Sequence, residues 1–430
     1  MNYNEVVNYI ETSMKFGCRP GLARTAKLLE LLSNPQKNVK TVHIAGTNGK
    51  GSTTAMIANV LGCAGYKTGM YISPHLYKNT ERMMIDGKEI SEEDFVKYAL
   101  EVIEMVKYMK ENGLEEPTQF EMYTAMALLY FERKKVDFAV IEVGLGGRYD
   151  ATNVINPILS VIASISYDHM DILGNTIEEI ASEKAGIIKK DSTVIMYPQT
   201  YKEAEAVIEE TSKAENANLV KVDAGAVKLI DYSTEGQLID FTYGDYSIRN
   251  IKLPLIGDHQ LKNTATSLTA IAELDKKGYR VSEESIRKGI ETVKWPCRLS
   301  IMSGEPLILI DGAHNEEGID SLQAALAKYF GNKKIIFVMG MLKDKAYKYA
   351  IGKLMPMAHA AIATEPVSSR ALDAAAMADN IRPYCSNVSA EPDIIKAIEK
   401  AKTMYDSDSM ICICGSLYLA GSAYQYLNGK

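Results

Sequence analysis

Residues 41–53 read TVHIAGTNGKGST, an apolar run that changes abruptly into glycine, amide and hydroxyl residues around one lysine. The β-branched residues of Val39–Ala45 predict a buried strand, and the sequence after the turn predicts a helix to about Gly65. A glycine-rich turn between strand and helix presents backbone N–H groups at the positive end of the helix dipole, where phosphate binds. Because Lys50 adds a full positive charge, the stretch predicts a nucleotide-phosphate loop.

This loop departs from the common P-loop pattern G-x-x-x-x-G-K-[ST]. The pattern would need glycine where Ile44 stands and a hydroxyl residue where Gly51 stands. Hydroxyls follow one residue later, at Ser52 and Thr53, where they could reach a phosphate-bound Mg²⁺. The alternative is a turn that is rich in glycine for steric reasons alone, but the Gly-Lys pair at the junction itself favours phosphate binding.

Composition restricts the class of protein. The 430 residues suffice for two or three domains, and the net charge of −7 gives no global basic surface for nucleic acid. Neither a signal-peptide core nor an apolar run of membrane-spanning length is present, so we expect a cytoplasmic protein that contacts no membrane. The cysteines lack zinc-site spacing and are expected to be structural thiols. They are Cys18, Cys63, Cys297, Cys385, Cys412 and Cys414.

Strand and helix patterns alternate along most of the chain, which predicts an α/β fold with a mostly parallel sheet. Short alternating runs from about Lys221 to Leu253 predict an antiparallel patch. The segment VKWPCRLS (293–300) contains the only tryptophan and a helix-stopping proline, and the alternation restarts after it. We therefore expect a P-loop domain over residues 1–295 and a smaller, doubly wound, Rossmann-like domain over residues 296–430.

Open α/β sheets bind ligands at the carboxyl ends of their strands. Besides the Lys50 loop, the predicted ends carry Ser73, Glu142, Asp168, His169, Asp311 and His314. Glu142 ends the apolar run DFAVI, and an acid at such a strand tip is typical of a residue that holds Mg²⁺ directly or through water. The alternative for Glu142 is a capping or salt-bridged residue. A lone histidine is usually structural, but the polar turns around His169 and His314 favour function.

The segment EVGLGGRYD (142–150) contains G-x-G-G without a continuation into a helix, so it does not predict a dinucleotide site. Its glycines predict a close approach of the backbone to a substrate. Arg148 and Asp150 would then be polar contacts of that substrate.

Several long motifs occur in the order typical of one known family. They are HIAGTNGKGST, SPHL…ERMMIDG, EVGLGGRYDATN, SYDHMDILGNTIEEIASEKAGIIK, DHQLKNTATSLTAI, WPCRLS and DGAHNEEG, followed by GMLKDK, TEPVSSRAL and GSLYLAG. Over roughly residues 16 to 425 the chain resembles the folylpolyglutamate synthase/dihydrofolate synthase family of the Mur ligase superfamily. The resemblance implies a Mur-ligase-like ATP-binding domain followed by a glutamate ligase domain.

The resemblance also implies roles for single residues. The implied ATP-binding positions are Gly46, Thr47, Asn48, Gly49, Lys50, Gly51, Ser52, Thr53, Asn263, Arg298 and Asp311. The implied Mg²⁺ ligands are Ser73, Glu142 and His169, K⁺ is a further candidate cofactor, and Lys184 matches a lysine that is carbamylated in the family. Substrate contacts are implied for Arg82, Arg148, Asp150, His314 and Ser416, and catalytic roles for Lys50, His169, Lys184, Asp311 and His314. Cys297 stands where the family usually has glycine, which puts the local backbone conformation in question.

The implied reaction is ATP-dependent ligation of L-glutamate to the carboxylate of folates and of dihydropteroate. Transfer of the γ-phosphoryl group would give an acyl phosphate, which the amine of glutamate attacks with release of ADP and phosphate. We expect a monomer whose two domains contribute to one site for these small molecules. Three alternatives are a Mur ligase acting on a UDP-N-acetylmuramyl peptide, a P-loop switch that ligates nothing, and an NAD oxidoreductase, which rests only on fold analogy.

Overall fold

The computed structural model describes residues 1–13, 21–302 and 304–429, so Cys18 lies outside the described residues. The chain divides into two compact units. Unit 1 comprises Met1–Lys228, Ile239–Lys252 and Lys262–Val293, and unit 2 comprises Leu229–Leu238, Leu253–Leu261 and Lys294–Lys430. Each unit contains its own β-sheet with a core of buried apolar side chains.

An eight-stranded sheet of order β4-β3-β2-β5-β1-β6-β7-β8 organises unit 1. Its strands are β1 (Lys40–Ala45), β2 (Thr68–Tyr71), β3 (Met83–Ile85), β4 (Lys88–Glu89), β5 (Phe138–Glu142), β6 (Leu159–Ile162), β7 (Thr193–Met196) and β8 (Asn218–Lys221). The six strands from β2 to β8 in this order run parallel, whereas β3 and β4 form an antiparallel edge. The strand predicted around Val39–Ala45 is confirmed as β1, and β5 ends on Glu142 as its apolar run predicts.

In the described part of the chain, a series of helices precedes the sheet of unit 2. They are α1 (Tyr3–Thr12), α2 (Ala23–Leu31), α3 (Lys50–Cys63), α4 (Glu92–Glu111), α5 (Gln119–Arg133), α6 (Met170–Leu173), α7 (Ile177–Ala185), α8 (Lys202–Ala214), α9 (Asp258–Lys276) and α10 (Glu283–Glu291), with 3₁₀ turns at Pro35–Asn38, Asn79–Arg82 and Ala151–Val154. In α4 the buried residues include Phe95, Tyr98, Val102 and Met109, which is the spacing of one helix face. Complete burial of a side chain such as Phe95 stabilises the fold by roughly 1.5–3 kcal/mol.

The antiparallel patch predicted after about Lys221 is confirmed as a separate three-stranded sheet of order β11-β10-β9. The strands are β9 (Val227–Ser233), β10 (Gly236–Tyr243) and β11 (Tyr246–Leu253). Only two residues connect each strand to the next, so the neighbours are hairpins and run antiparallel.

The sheet of unit 2 has the order β12-β13-β17-β14-β15-β16. Its strands are β12 (Ser300–Met302), β13 (Ile308–Ile310), β14 (Lys334–Met339), β15 (Ala358–Ala363), β16 (Val388–Ala390) and β17 (Ser409–Cys414). The helices are α11 (Glu316–Phe330), α12 (Tyr347–Leu354), α13 (Ala374–Ile381), α14 (Ile394–Thr403) and α15 (Leu417–Leu427), with a 3₁₀ turn at Met355–Met357. All ladders are parallel except that of β12 with β13. The four central strands agree with the strand–helix alternation that restarts after residue 295, while the three-residue edge strands β12 and β16 are too short to give a pattern.

The cysteines in the described part of the chain form no disulfide. Cys297, Cys385, Cys412 and Cys414 are buried, as predicted, but Cys63 near the end of α3 is only partly buried. Among the residues described, no helix is long and apolar enough to cross a membrane.

Candidate active site

Four neighbouring strands of unit 1 end at the same edge of the sheet. The loop Gly46–Thr53 follows β1, Ser73 follows β2, Glu142 ends β5, and His169 follows β6. These strands are adjacent in the order β2-β5-β1-β6 and parallel, with Ile44 opposite Glu142 in the ladder between β1 and β5. The fold therefore brings the phosphate loop and the three predicted metal ligands to one edge.

The phosphate loop has a shape that requires glycine at two points. At Gly46 a Cβ atom would lie 2.7 Å from the Cβ of Ala163, so the loop can leave β1 only without a side chain. Gly49 has a φ of 81° and precedes α3 without a side-chain cap, and a Cβ there would overlap Oδ1 of Asn263. The start of α3 at Lys50 therefore has no capping side chain from Gly49, which leaves room for an anion. Asn263 lies against this loop within unit 1.

Thr47 links the phosphate loop to the chain that leaves β6. Its N–H donates to the carbonyl of Ser164 (2.6 Å), and its hydroxyl donates to the carbonyl of Ser166 (3.0 Å). The N–H of Ser166 in turn donates to the Thr47 hydroxyl (3.1 Å), and Asn48 forms a β-bridge with Ser164. Because the same segment continues to His169, Thr47 couples the position of the loop to that of the predicted metal ligand.

Two lysines donate to one carbonyl oxygen of the loop. Nζ of Lys50 lies 3.1 Å from the carbonyl oxygens of Gly46 and Thr47, and Nζ of Lys184 lies 3.0 Å from that of Gly46. Lys184 is 3% exposed, and burial, with repulsion by Lys50 as the second cause, lowers its pKa to about 7. Three nearby carboxylates act in the opposite direction without restoring the ordinary value of 10.5. The loop therefore carries concentrated positive potential together with an amine that is partly neutral at physiological pH.

The three predicted metal ligands, Ser73, Glu142 and His169, include only one carboxylate. Within the described part of the chain, no group of three His, Cys, Asp or Glu side chains could hold a metal. Glu142 is buried at the end of β5, whereas His169 has a φ of 51° and its side chain is 40% exposed. Mg²⁺ typically takes one or two carboxylates and fills its octahedron with water and phosphate oxygens. A single buried carboxylate beside a phosphate loop fits that ion.

Asp150 shapes the loop that follows β5. Its Oδ2 accepts from the N–H of Leu145 (2.8 Å), and its Oδ1 accepts from the N–H (3.0 Å) and the hydroxyl (2.5 Å) of Thr152. Burial raises the pKa of Asp150, although these hydrogen bonds oppose the shift. The Thr152 hydroxyl also lies 2.8 Å from Nε2 of His43, which is completely buried on β1. Since that hydroxyl donates to Asp150, Nε2 of His43 must be the protonated nitrogen that donates to it.

Gly147, one of the glycines before Asp150, allows a close contact within the protein. A Cβ at Gly147 would lie 2.6 Å from the carbonyl oxygen of Glu183 and 2.9 Å from that of Lys184, so Gly147 allows the loop to pack on α7. Arg148 also contacts α7, because its Nη2 donates to the carbonyl (3.2 Å) and hydroxyl (3.1 Å) of Ser182. This packing explains Gly147 without a substrate, and a close approach of the loop backbone to a substrate stays a prediction. The loop positions the helix that carries Lys184.

Arg82 lies in the 3₁₀ turn after β2 and is 9% exposed. Its Nε donates to Nδ1 of His75 (3.0 Å), and its guanidinium carbon lies 4.7 Å from the centre of the Tyr123 ring. Sequence reasoning did not identify His75, Tyr123, Thr152 or His43. The available signals in the sequence were the separation of only seven residues between His75 and Arg82 and the polar character of His43 and Tyr123 within apolar runs.

In unit 2 the predicted residues gather at the ends of two adjacent strands. Asp311 follows β13 and Ser416 follows β17, and these strands are parallel neighbours. Asp311 is buried and accepts from the N–H groups of Leu299 (2.8 Å) and Ala313 (2.8 Å). Burial raises its pKa, and Arg298 acts in the opposite direction. His314 follows in the same turn, with Nδ1 2.8 Å from the carbonyl oxygen of Gly312.

Cys297 has the left-handed backbone that a glycine would adopt without strain. Its φ is 59°, its side chain is completely buried, and its carbonyl accepts from the N–H of Gly312 (3.0 Å). A non-glycine residue in this conformation costs roughly 1–2 kcal/mol. The turn before Arg298 therefore keeps a conformation suited to glycine although the residue is cysteine.

Two family models match the chain, one in the segment with the phosphate loop and one in the C-terminal segment. Residues 44–271 match the Mur ligase middle domain, and residues 297–417 match the Mur ligase glutamate ligase domain. The chain is thus a Mur-type, ATP-dependent amide ligase.

Individual relatives narrow the class. The chain is 39% identical over 420 residues to the dihydrofolate synthase/folylpolyglutamate synthase of Bacillus subtilis, which covers 97% of both proteins. It is 34% identical to the folylpolyglutamate synthase of Lacticaseibacillus casei, covering 100% of this chain and 99% of that protein. The crystal structure of Mycobacterium tuberculosis folylpolyglutamate synthase complexed with ADP and AMPPCP superposes with a TM-score of 0.91 at 32% identity, over 99% of this chain and 98% of that one. The chain belongs to the folylpolyglutamate synthase/dihydrofolate synthase family, and it ligates glutamate to folates at the expense of ATP.

Proposed function

We propose that the reaction proceeds through an acyl phosphate. A carboxylate oxygen of the folate attacks the γ-phosphorus of ATP, and the bond from that phosphorus to the bridging oxygen of ADP breaks. The neutral amine of L-glutamate then attacks the acyl carbon, the bond to the phosphate oxygen breaks, and the amine loses a proton. The observation that carries this proposal is the Gly46–Thr53 loop, where Lys50 and the start of α3 converge on the place of a phosphate.

The remaining ATP contacts are assigned by position. Asn263 lies against Gly49, so it would support the phosphate loop or contact the nucleotide directly. We assign nucleotide contacts also to Arg298 and Asp311, and substrate contacts to His314 and Ser416, which follow neighbouring strand ends of unit 2. Arg82, Arg148 and Asp150 are assigned to the folate side, and the last two also hold the loop described above.

Ser73, Glu142 and His169 would hold Mg²⁺, with K⁺ as a further candidate cation. When bound, Mg²⁺ neutralises negative charge on the transferring phosphoryl group. Glu142 supports this assignment because its buried carboxylate stands at the same sheet edge as the phosphate loop. Thr47, by fixing the segment that leads to His169, would keep that ligand in register with the loop.

We further propose that Lys184 is carbamylated. The lysine ammonium first loses a proton, and the neutral amine attacks CO₂, so that a nitrogen–carbon bond forms while one carbon–oxygen π bond breaks. The nitrogen then loses a second proton to the solvent, so a cation becomes an anion. The lowered pKa of about 7 supports this step because the amine is partly neutral at physiological pH. The change would also replace the repulsion between Lys184 and Lys50 by an attraction.

The test measures glutamate-dependent release of phosphate with reduced folate, dihydropteroate and a UDP-N-acetylmuramyl peptide as separate substrates. We expect ADP and phosphate with the first two substrates and none with the third. Release of AMP and pyrophosphate would contradict the acyl-phosphate intermediate. Activity with reduced folate but not with dihydropteroate would show that the protein is a folylpolyglutamate synthase without dihydrofolate synthase activity. The monomeric state and the cytoplasmic location stay predictions of the sequence.

A further inference from the structure

Arg82 is a buried cation with an unusual set of neighbours. In the described part of the chain, its hydrogen bond is to an imidazole and its planar face lies on Tyr123, and no ion pair with a carboxylate is found. A buried charge without an opposite charge is costly unless a ligand supplies acceptors for it. Because Nε is used by His75, the remaining N–H donors on Nη1 and Nη2 are available for that ligand.

The turn that carries His75 is fixed by its own hydrogen bonds. The buried carboxylate of Glu81 accepts from the N–H groups of Leu76 (2.7 Å), Tyr77 (3.2 Å) and Lys78 (2.8 Å). These bonds close the segment between His75 and Arg82 into one compact turn. The imidazole is therefore presented to the guanidinium by a rigid backbone.

The protonation state of His75 follows from its partner. An arginine guanidinium always donates at Nε, so Nδ1 of His75 must carry a lone pair and Nε2 the proton. A neutral acceptor holds Arg82 without cancelling its charge, which a carboxylate at the same place would do.

We propose that His75 is a positioning residue that orients Arg82 for the pteroyl part of the folate or dihydropteroate substrate. The inference rests on the proposed function, in which Arg82 contacts this substrate. The rings of Tyr71 and Phe120 stack at 6.2 Å with an interplanar angle of 30°. Tyr71 is completely buried, so only the partly buried ring of Phe120 is open to a flat, conjugated ligand. With Nε–H held by His75, rotation of the guanidinium away from the Tyr123 ring would break a charge-assisted hydrogen bond.

The experiment compares steady-state kinetics of three variants with both substrates. His75→Ala should raise the KM for dihydropteroate and for reduced folate about tenfold or more, the usual effect of losing a hydrogen bond to a charged group, while kcat and the KM for ATP change little. His75→Asn keeps an acceptor near the position of Nδ1 and should restore most of the loss, whereas His75→Gln should not. His359→Ala, on an exposed position of β15, is the matched control and should leave all constants unchanged.

A double-mutant cycle separates this inference from the proposed function. In the Arg82→Ala background, His75→Ala should have no further effect, and additive losses would overturn the inference. If Arg82→Ala leaves the KM for both pteroyl substrates unchanged, the substrate role of Arg82 is wrong. If Arg82→Ala raises that KM and His75→Ala does not, the positioning role of His75 is wrong. If thermal unfolding shows that His75→Ala is not folded, the Asn and Gln variants decide the question. Equal KM values of these two variants for the pteroyl substrates would refute the inference.

Discussion

The buried amine of Lys184 should make the stability of the protein depend on pH, which can be tested without a substrate. Its amine is buried against the Gly46 carbonyl, and its pKa of about 7 lies below the 10.5 of an ordinary lysine. Between these two values the unfolded chain binds more protons than the folded one, so the stability of the protein rises with pH in this window. A Lys184→Met variant keeps most of the length of the side chain, lacks the titrating amine and should not show this rise.

The size of the effect follows from the two pKa values. Each pH unit between the folded and the unfolded pKa changes the unfolding free energy by about 1.4 kcal/mol, and the slope is smaller close to either value. From pH 7 to pH 9 the buried amine should therefore stabilise the wild-type protein by about 2 kcal/mol relative to the variant. The hydrogen bond to Gly46 that the variant lacks shifts both ends of the comparison equally.

The assay is chemical denaturation of both proteins at pH 7, 8 and 9 in buffers free of CO₂ and bicarbonate. Lys40→Met, an exposed position at the start of β1, is the control and should follow the wild type at every pH. A constant difference between Lys184→Met and the wild type from pH 7 to pH 9 would show that Lys184 is charged throughout. That result would also remove the basis for its carbamylation.

Four other substitutions test the two sites. Lys50→Ala should abolish formation of ADP and phosphate in a coupled assay, because Lys50 supplies the positive charge of the phosphate loop. The midpoint of thermal unfolding should stay unchanged. Thr152→Val should cost about 1–3 kcal/mol in denaturation and lower the ligase rate, since the hydroxyl joins His43 to Asp150, whereas Thr152→Ser should not. At Cys297, glycine should be more stable than alanine by about 1 kcal/mol, the reverse of the usual order, because φ is 59°. His314→Ala should lower kcat, and unchanged kinetics would exclude it from the reaction.

Local patterns were sufficient for the parts of the site that depend on one strand and the turn after it. The apolar run before Gly46 predicts β1, the run before Glu142 predicts β5, and the polar turns at their ends predict where ligands bind. The two strand predictions are confirmed because the periodicity of burial is encoded within about ten residues, whereas the place of ligand binding stays a prediction. The edge strands β12 and β16, at three residues each, fall below that length.

Contacts between distant segments could not be predicted in this way. Lys184 and Gly46 are 138 positions apart, and His43 and Thr152 are 109 positions apart. His43 has the position of an ordinary buried strand residue, and only the order β2-β5-β1-β6 brings it to the loop after β5. The packing role of Gly147 could not be predicted for the same reason, because nothing local indicates that α7 packs against it.

The carbonyl of Gly46 shows how these distant contacts act on one another. A carbonyl that accepts from two lysines holds two cations in repulsion, and the lowered pKa of Lys184 is a direct result of that arrangement together with burial. A bound polyphosphate would add negative charge beside both amines and relieve the repulsion, so the site favours an anion before any anion is present. Carbamylation would relieve it instead by reversing the charge of one partner, which leaves Lys50 as the single cation of the loop. The two proposals for Lys184 and Lys50 are therefore linked, since the protonation state of one sets the electrostatic role of the other.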